Sequence, residues 1–167
     1  MRLFVDMDGT LAEWRSASTA DELYQEGYFR NLQPVSSILA ATKILARRED
    51  VEVYVLSSVL GDSPYAKTEK NSWLDKYLPE IPRDYRLFPP CGTEKALAVP
   101  GGIRRSDILL DDYTSNLISW SRYGTAVKVL NGINGTNGKW ASIGGQSVSS
   151  KWSAKRIASY IYRRNSV

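Results

Sequence analysis

The segment Asp6-Met7-Asp8-Gly9-Thr10 puts two carboxylates one residue apart, where an apolar run gives way to Gly and Thr. By itself that pair marks a metal or phosphate site of unspecified kind. Polar groups stand at the ends of other apolar runs in the same way. Ser57-Ser58 follows Val51 to Leu56, Asp111-Asp112 follows Ile108 to Leu110, and Asn131-Gly132 follows Ala126 to Leu130. Of the lysines between the second and third of these points, Lys70 and Lys95 are the candidates for the site, and Lys67 reads as solvated. The chain has no histidine, which excludes histidine triads, histidine metal clusters and a histidine general base, and the single Cys91 excludes an intrachain disulfide. Any chemistry must run on carboxylates, hydroxyls, lysines and a hard metal bound through oxygen.

Short β-branched or apolar runs ending in polar residues read as buried strands whose carboxyl ends deliver the site. Arg2 to Val5 is the first. A weaker strand lies near Tyr85 to Phe88, and helical spacing covers about Val35 to Arg48, Thr68 to Tyr77, Ser115 to Tyr123 and Lys151 to Arg163. Strands alternating with helices predict an α/β fold: a Rossmann-like three-layer sandwich on a mostly parallel five-stranded sheet, in the expected order 3-2-1-4-5. In such sheets ligands bind beyond the carboxyl ends of the strands, so the polar termini should converge. Residues from about 13 to 34 break the alternation. They read as a small cap inserted after the first strand, with a helical piece at Asp21 to Glu26 and aromatics at Trp14, Tyr24, Tyr28 and Phe29. Asn131 to Gly138 reads as a loop, and Trp73 and Trp120 as core.

With 167 residues, 43% hydrophobic and 24% charged, the chain fits one globular domain, 1–167. The net charge of +4 is mild, and the basic residues from Lys151 to Arg164 read as a solvated helix face, so stable nucleic-acid binding is not expected. No signal-peptide pattern or membrane-length apolar stretch is present, and the expected location is cytoplasmic without membrane association.

In order and in placement, Asp6-Met7-Asp8-Gly9-Thr10, Ser57, Lys95 and Asp111-Asp112 resemble the four motifs of the haloacid dehalogenase superfamily. Phosphoryl transfer needs positioning and charge neutralisation, and a carboxylate can act as nucleophile through an aspartyl-phosphate. Carboxylates and a phosphate monoester sharing a pocket require a cation, and oxygen ligands suit Mg²⁺. The resemblance implies that Asp6 attacks phosphorus and binds Mg²⁺. Asp8 would lend its backbone carbonyl to the metal and act as general acid, then base; Asp111 would be a direct ligand, and Asp112 a ligand through water or an orienting group. Ser57, with help from Ser58, would donate to a phosphoryl oxygen. Lys95 is favoured over Lys70 as the cation that neutralises developing charge, leaving Lys70 as a secondary phosphate contact. Gly9 permits the sharp turn beside the phosphate, next to Thr10.

A further layer of likeness points to the 5'(3')-deoxyribonucleotidase family, of bacterial or phage type. DMDGTLAEW resembles its first motif, Gly27 to Pro34 its cap return, Tyr65 to Tyr77 its Lys-x-x-Trp helix, and Asp107 to Leu117 its fourth motif. A base offers a π-face for stacking, so the likeness implies Trp14, Tyr28, Phe29 and Arg30 near base or sugar. The implied substrate is a deoxynucleoside monophosphate. Other small phosphoesters, such as a sugar phosphate or a nucleic-acid 3' phosphate, remain alternatives, as does a catalytically idle nucleotide-binding module. Ser57-Ser58-Val59 stands where better-known members carry Thr-Ser-Pro, and Tyr113 where they often carry Arg, which leaves base and sugar preference open. An exposed aromatic cap would also support a homodimer.

Overall fold

The structure, a computed structural model, describes residues 1–15, 19–134 and 138–166. Its centre is a sheet of six parallel strands: β1 (Arg2–Val5), β2 (Glu52–Leu56), β3 (Arg86–Leu87), β4 (Ile108–Asp111), β5 (Thr125–Leu130) and β6 (Gln146–Ser149). They lie in the order β3-β2-β1-β4-β5-β6, and every neighbouring pair is parallel. The expected count of five is therefore corrected to six. The added edge strand, Gln-Ser-Val-Ser, has one buried apolar residue, Val148, so no apolar run announces it. It pairs instead through the backbone of β5, with Val148 opposite Val129.

Side-chain alternation along the central strands divides the core between two faces. Leu3 and Val5 of β1, Ile108 and Leu110 of β4, and Val127 and Val129 of β5 pack on one face. That face is covered by Ile38 and Leu45 of α1 (Ser36–Ala46), Trp73 and Leu74 of α2 (Ala66–Tyr77), and Ile157 and Ile161 of α5 (Ala154–Tyr162). Phe4, Leu109 and Ala126 point to the opposite face, against Leu117 and Trp120 of α3 (Thr114–Trp120) and Trp140 of α4 (Lys139–Ser142). Trp73 and Trp120 are fully buried, as their spacing predicts. Ser153 caps α5 through its hydroxyl, which accepts from Arg156 N. Fully burying each large apolar side chain contributes roughly 1.5–3 kcal/mol, which makes these two clusters the main force holding the strand ends in place.

The segment between β1 and α1 is closed at its neck by backbone bonds. Glu13 N donates to Gln33 O at 2.7 Å, and Val35 N donates to Leu11 O at 2.8 Å. Its helical piece is a short 3-10 turn, Ala20–Tyr24, in place of the expected Asp21 to Glu26. Tyr28, Phe29 and Leu32 are buried, and Trp14, Tyr28 and Phe29 meet edge to face at 5.0–6.2 Å. Residues 135–137 of the loop expected at Asn131 to Gly138 lie outside the described residues.

Candidate active site

Parallel pairing brings the carboxylates together. Asp6 follows β1 directly, and its backbone N donates to Leu110 O at 2.9 Å, which holds it beside Asp111 at the end of β4. Ser57 follows β2, and its N donates to Leu87 O at 3.0 Å. Between Asp6 and the neck the chain turns tightly, with Gly9 N donating to Ala12 O at 2.8 Å and Ala12 N to Met7 O at 2.8 Å. Gly9 has φ +79°, and a Cβ there would lie 2.3 Å from Asp112 Oδ2. Only glycine fits against that carboxylate.

Asp6, Asp111 and Asp112 are all buried, and each offers an oxygen within 4.8 Å of the others. Lys95, on a 3-10 turn at Lys95–Ala98, reaches between two of them and donates to Asp6 Oδ1 and Asp111 Oδ2 at 2.6 Å each. Lys70, fully buried on α2, donates to Asp8 Oδ2 at 2.5 Å, Ser57 Oγ at 2.9 Å and Ser58 O at 2.7 Å. Both predicted lysines thus enter the site, by different routes. Asp111 also accepts from Asn116 Nδ2 at 2.9 Å and from Tyr113 N at 2.7 Å. Asp112 accepts from Asn131 Nδ2 at 2.8 Å and Asn134 Nδ2 at 2.5 Å, while Asn131 also donates to Gly9 O at 2.7 Å.

Four carboxylates are bonded by only two ammonium groups; a third, the buried Lys128, bonds Thr114 Oγ1 and acts on Asp112 and Asp111 from a distance, leaving more carboxylates than cations. Burial above all raises the Asp6 pKa to about 7; Lys95 opposes the rise, and Asp111, Asp8 and Asp112 add to it. Burial beside Asp111 raises Asp112 to about 6, against the pull of the two asparagines. Burial would push the Lys95 ammonium down, but Asp111 and Asp6 more than offset it and hold its pKa above the ordinary lysine range. Burial lowers Lys128. A donor set made only of oxygen, buried and carrying excess negative charge, fits a hard divalent cation, and Asp6, Asp111 and Asp112 can hold one.

These groups open into a cavity of about 720 Å³. Asp6, Asp8, Ser57, Ser58, Lys95 and Asp112 are among its polar lining, and Trp14, Leu23 and Phe29 among its apolar lining. Tyr28 and Arg30 do not line it. Tyr28 packs behind Phe29 and donates its hydroxyl to Arg15 O, while the Arg30 guanidinium sits at the surface, 3.4 Å from Glu26. Thr10 is buried, outside the lining, and its hydroxyl has no partner among the described residues. Asn116, Asn134 and Glu69 are placed at or beside the site although nothing in their local spacing marks them. Asn131 has a visible signal, for it directly follows β5 as Asp6 directly follows β1.

Fold and site together define a parallel α/β protein with a carboxylate centre at the carboxyl edge of its two central strands. Among known proteins, a protein of Vibrio phage KVP40 named "Putative 5'(3')-deoxyribonucleotidase" is 24% identical over 87 residues, covering 46% of this chain and 50% of that one. The chain thus spans about half the length of the curated relative it matches. No family model matches. A crystal structure solved as a Northeast Structural Genomics Consortium target superposes with a TM-score of 0.59, covering 90% of this chain and 48% of that one at 14% identity, a likeness of fold alone.

Proposed function

We propose that the chain is a Mg²⁺-dependent phosphatase that hydrolyses deoxynucleoside monophosphates through an aspartyl-phosphate on Asp6. The observation that carries this reading is the Asp6–Lys95–Asp111 bridge, with Asp112 in the same cluster and with Asp8 and Ser57, both held by the buried Lys70, lining the same cavity as Asp6 and Lys95. The name of the phage relative points the same way. A Mg²⁺ held by Asp6, Asp111 and Asp112 would neutralise the phosphate and polarise its oxygens.

In the first step an Asp6 oxygen bonds to phosphorus as the bond to the leaving oxygen breaks, and Asp8 gives that oxygen a proton. In the second, Asp8 takes a proton from water, whose oxygen displaces Asp6 and releases inorganic phosphate. Lys70 orients Asp8 through one of its oxygens, while the other, Oδ1, has no partner among the described residues and is the oxygen that would carry the proton. Lys95, which lines the cavity, would balance charge beside the transferring group, Lys70 holds Asp8 and Ser57 from behind, and Ser57 donates to a phosphoryl oxygen. We read residues 13–34 as a cap on a single domain, with Trp14 and Phe29 against the base.

The second reading, a sugar phosphate as substrate, draws on the hydrogen-bonding groups of Thr93, Glu94, Ser115 and Asn116 in the same cavity. Phosphate release from a panel of deoxy- and ribonucleotides and sugar phosphates, with Mg²⁺ or EDTA, separates the two. Deoxynucleotide preference that EDTA abolishes is expected. Equal rates across the panel would discard the nucleotide claim, and release in EDTA would discard the metal.

A further inference from the structure

Outside the carboxylate centre, two acidic side chains are buried among the described residues. Asp107 is neutralised by Arg2, but Glu69, only 3% exposed, has no cationic partner within ion-pair distance. Its charge is met by the backbone. Glu69 Oε1 accepts from Gly27 N, and Oε2 accepts from Phe29 N at 3.1 Å and Arg30 N at 3.3 Å. Gly27, at φ +88°, lets the chain turn its amides inward, and the segment 27–30 closes on the carboxylate as an anion-binding nest. The next residue on α2, Lys70, places its ammonium 4.9 Å from the centre of the Phe29 ring while bonding Asp8 and Ser57. One turn further, Trp73 Nε1 donates to Leu32 O at 2.8 Å. Phe29 is thus fixed by its amide on one side and by its ring on the other, and its ring lines the cavity.

We infer that Glu69 is a positioning residue that sets the aromatic wall of the cavity and so governs affinity for a planar leaving group, leaving the phosphoryl chemistry to other residues. The inference rests on the phosphatase reading above. A carboxylate is required because both oxygens must accept; glutamine would turn one acceptor into a donor facing an N–H.

The test is Glu69→Gln in the full chain, assayed with a deoxynucleoside monophosphate and with a ringless phosphomonoester, glycerol phosphate. The expected result is a KM for the nucleotide raised roughly tenfold, the weight of one charge-assisted hydrogen bond, with kcat within about twofold and the glycerol phosphate constants unchanged. Hydrogen exchange should quicken at the amides of Gly27, Phe29 and Arg30 and stay slow in α1 and α5. Equal losses on both substrates, an unchanged preference, or amides that stay protected would overturn the inference. Should Glu69→Gln not fold, Gly27→Ala strains the same nest from the loop side, its Cβ meeting Asn31 Nδ2 at 2.8 Å, and the same split is expected. A parent that releases no phosphate from any monoester overturns the phosphatase reading and the wall's role with it. An active parent whose preference ignores Glu69 overturns this inference alone.

Discussion

Strands β1 and β4 carry buried charge at both ends, and the two ends are built differently. At the amino edge Arg2 meets Asp107 with two bonds, Nε to Oδ1 at 3.0 Å and Nη2 to Oδ2 at 2.5 Å; Arg2 also donates to Gly102 O, and Arg104 N to Asp107. One cation meets one anion, and both carboxylate oxygens are occupied. At the carboxyl edge four carboxylates are bonded by two ammonium groups, with Lys128 acting from a distance; one oxygen of Asp8 has no partner among the described residues, and the Asp6 and Asp112 pKa values are raised. The same strands thus hold a closed ion pair that serves the fold and an open, over-charged cluster that suits a ligand.

The contrast breaks most visibly on Asp6→Asn. Phosphate release should fall by on the order of 10³-fold or more, because the proposed nucleophile is lost, while melting temperature holds or rises, since one repelling carboxylate is gone. A variant with near-parental rate would remove Asp6 as nucleophile. At the other edge Arg2→Leu leaves Asp107 buried and unpaired, and should cost about 3–5 kcal/mol of stability in denaturant titration. Its phosphatase rate per folded molecule should stay near parental. Loss of rate without loss of stability would mean that the amino edge is no mere fold element. A smaller effect is expected at Asn131→Ala, which frees Asp112 and the Gly9 carbonyl: roughly 10–100-fold weaker Mg²⁺ activation at little cost in stability. Unchanged Mg²⁺ dependence would show that the amide orients nothing.

The difference between the edges also explains what could be read from the residues alone. The central strands were legible because both faces of a parallel sheet are buried, so Leu3 to Val5 or Ile108 to Leu110 read as unbroken apolar runs. The carboxylates were legible because they terminate those runs. Strand β6 was not, since an edge strand with one buried residue draws its pairing from the neighbouring backbone. Glu69 was not either, for its partners lie about forty residues upstream and are backbone amides, which carry no side-chain signature. The same cause moved Arg30, whose amide faces the clamp while its side chain faces solvent. The lysines lay in between: Lys70 and Lys95 were both visible as candidates, and only folding assigned one to Asp8 and the other to Asp6 and Asp111.

The smallest expected effect separates the edges by pH. Asp6 and Asp112 titrate near 7 and 6 in the metal-free fold, above the ordinary carboxylate value near 4, so the folded state holds protons that the unfolded state has released. Their contribution to stability is present below about pH 4 and lost as pH rises through 6 and 7. A divalent cation needs the ionised carboxylates and competes with those protons, so its stabilising increment should grow over the same window. Exposed acids such as Asp50 and Asp75, whose pKa values are lowered by Tyr162, Arg48 and Arg86, act in the opposite sense and at lower pH. The measurement is therefore a difference: melting temperature of parent minus Asp6→Asn, in EDTA and in Mg²⁺, at pH 5 and pH 8. In EDTA the difference should become more negative at pH 8, and Mg²⁺ should reverse it there while doing little at pH 5. A difference independent of pH in both media would mean that the carboxyl edge is as neutral as the Arg2–Asp107 pair, and the distinction between the two ends would fall.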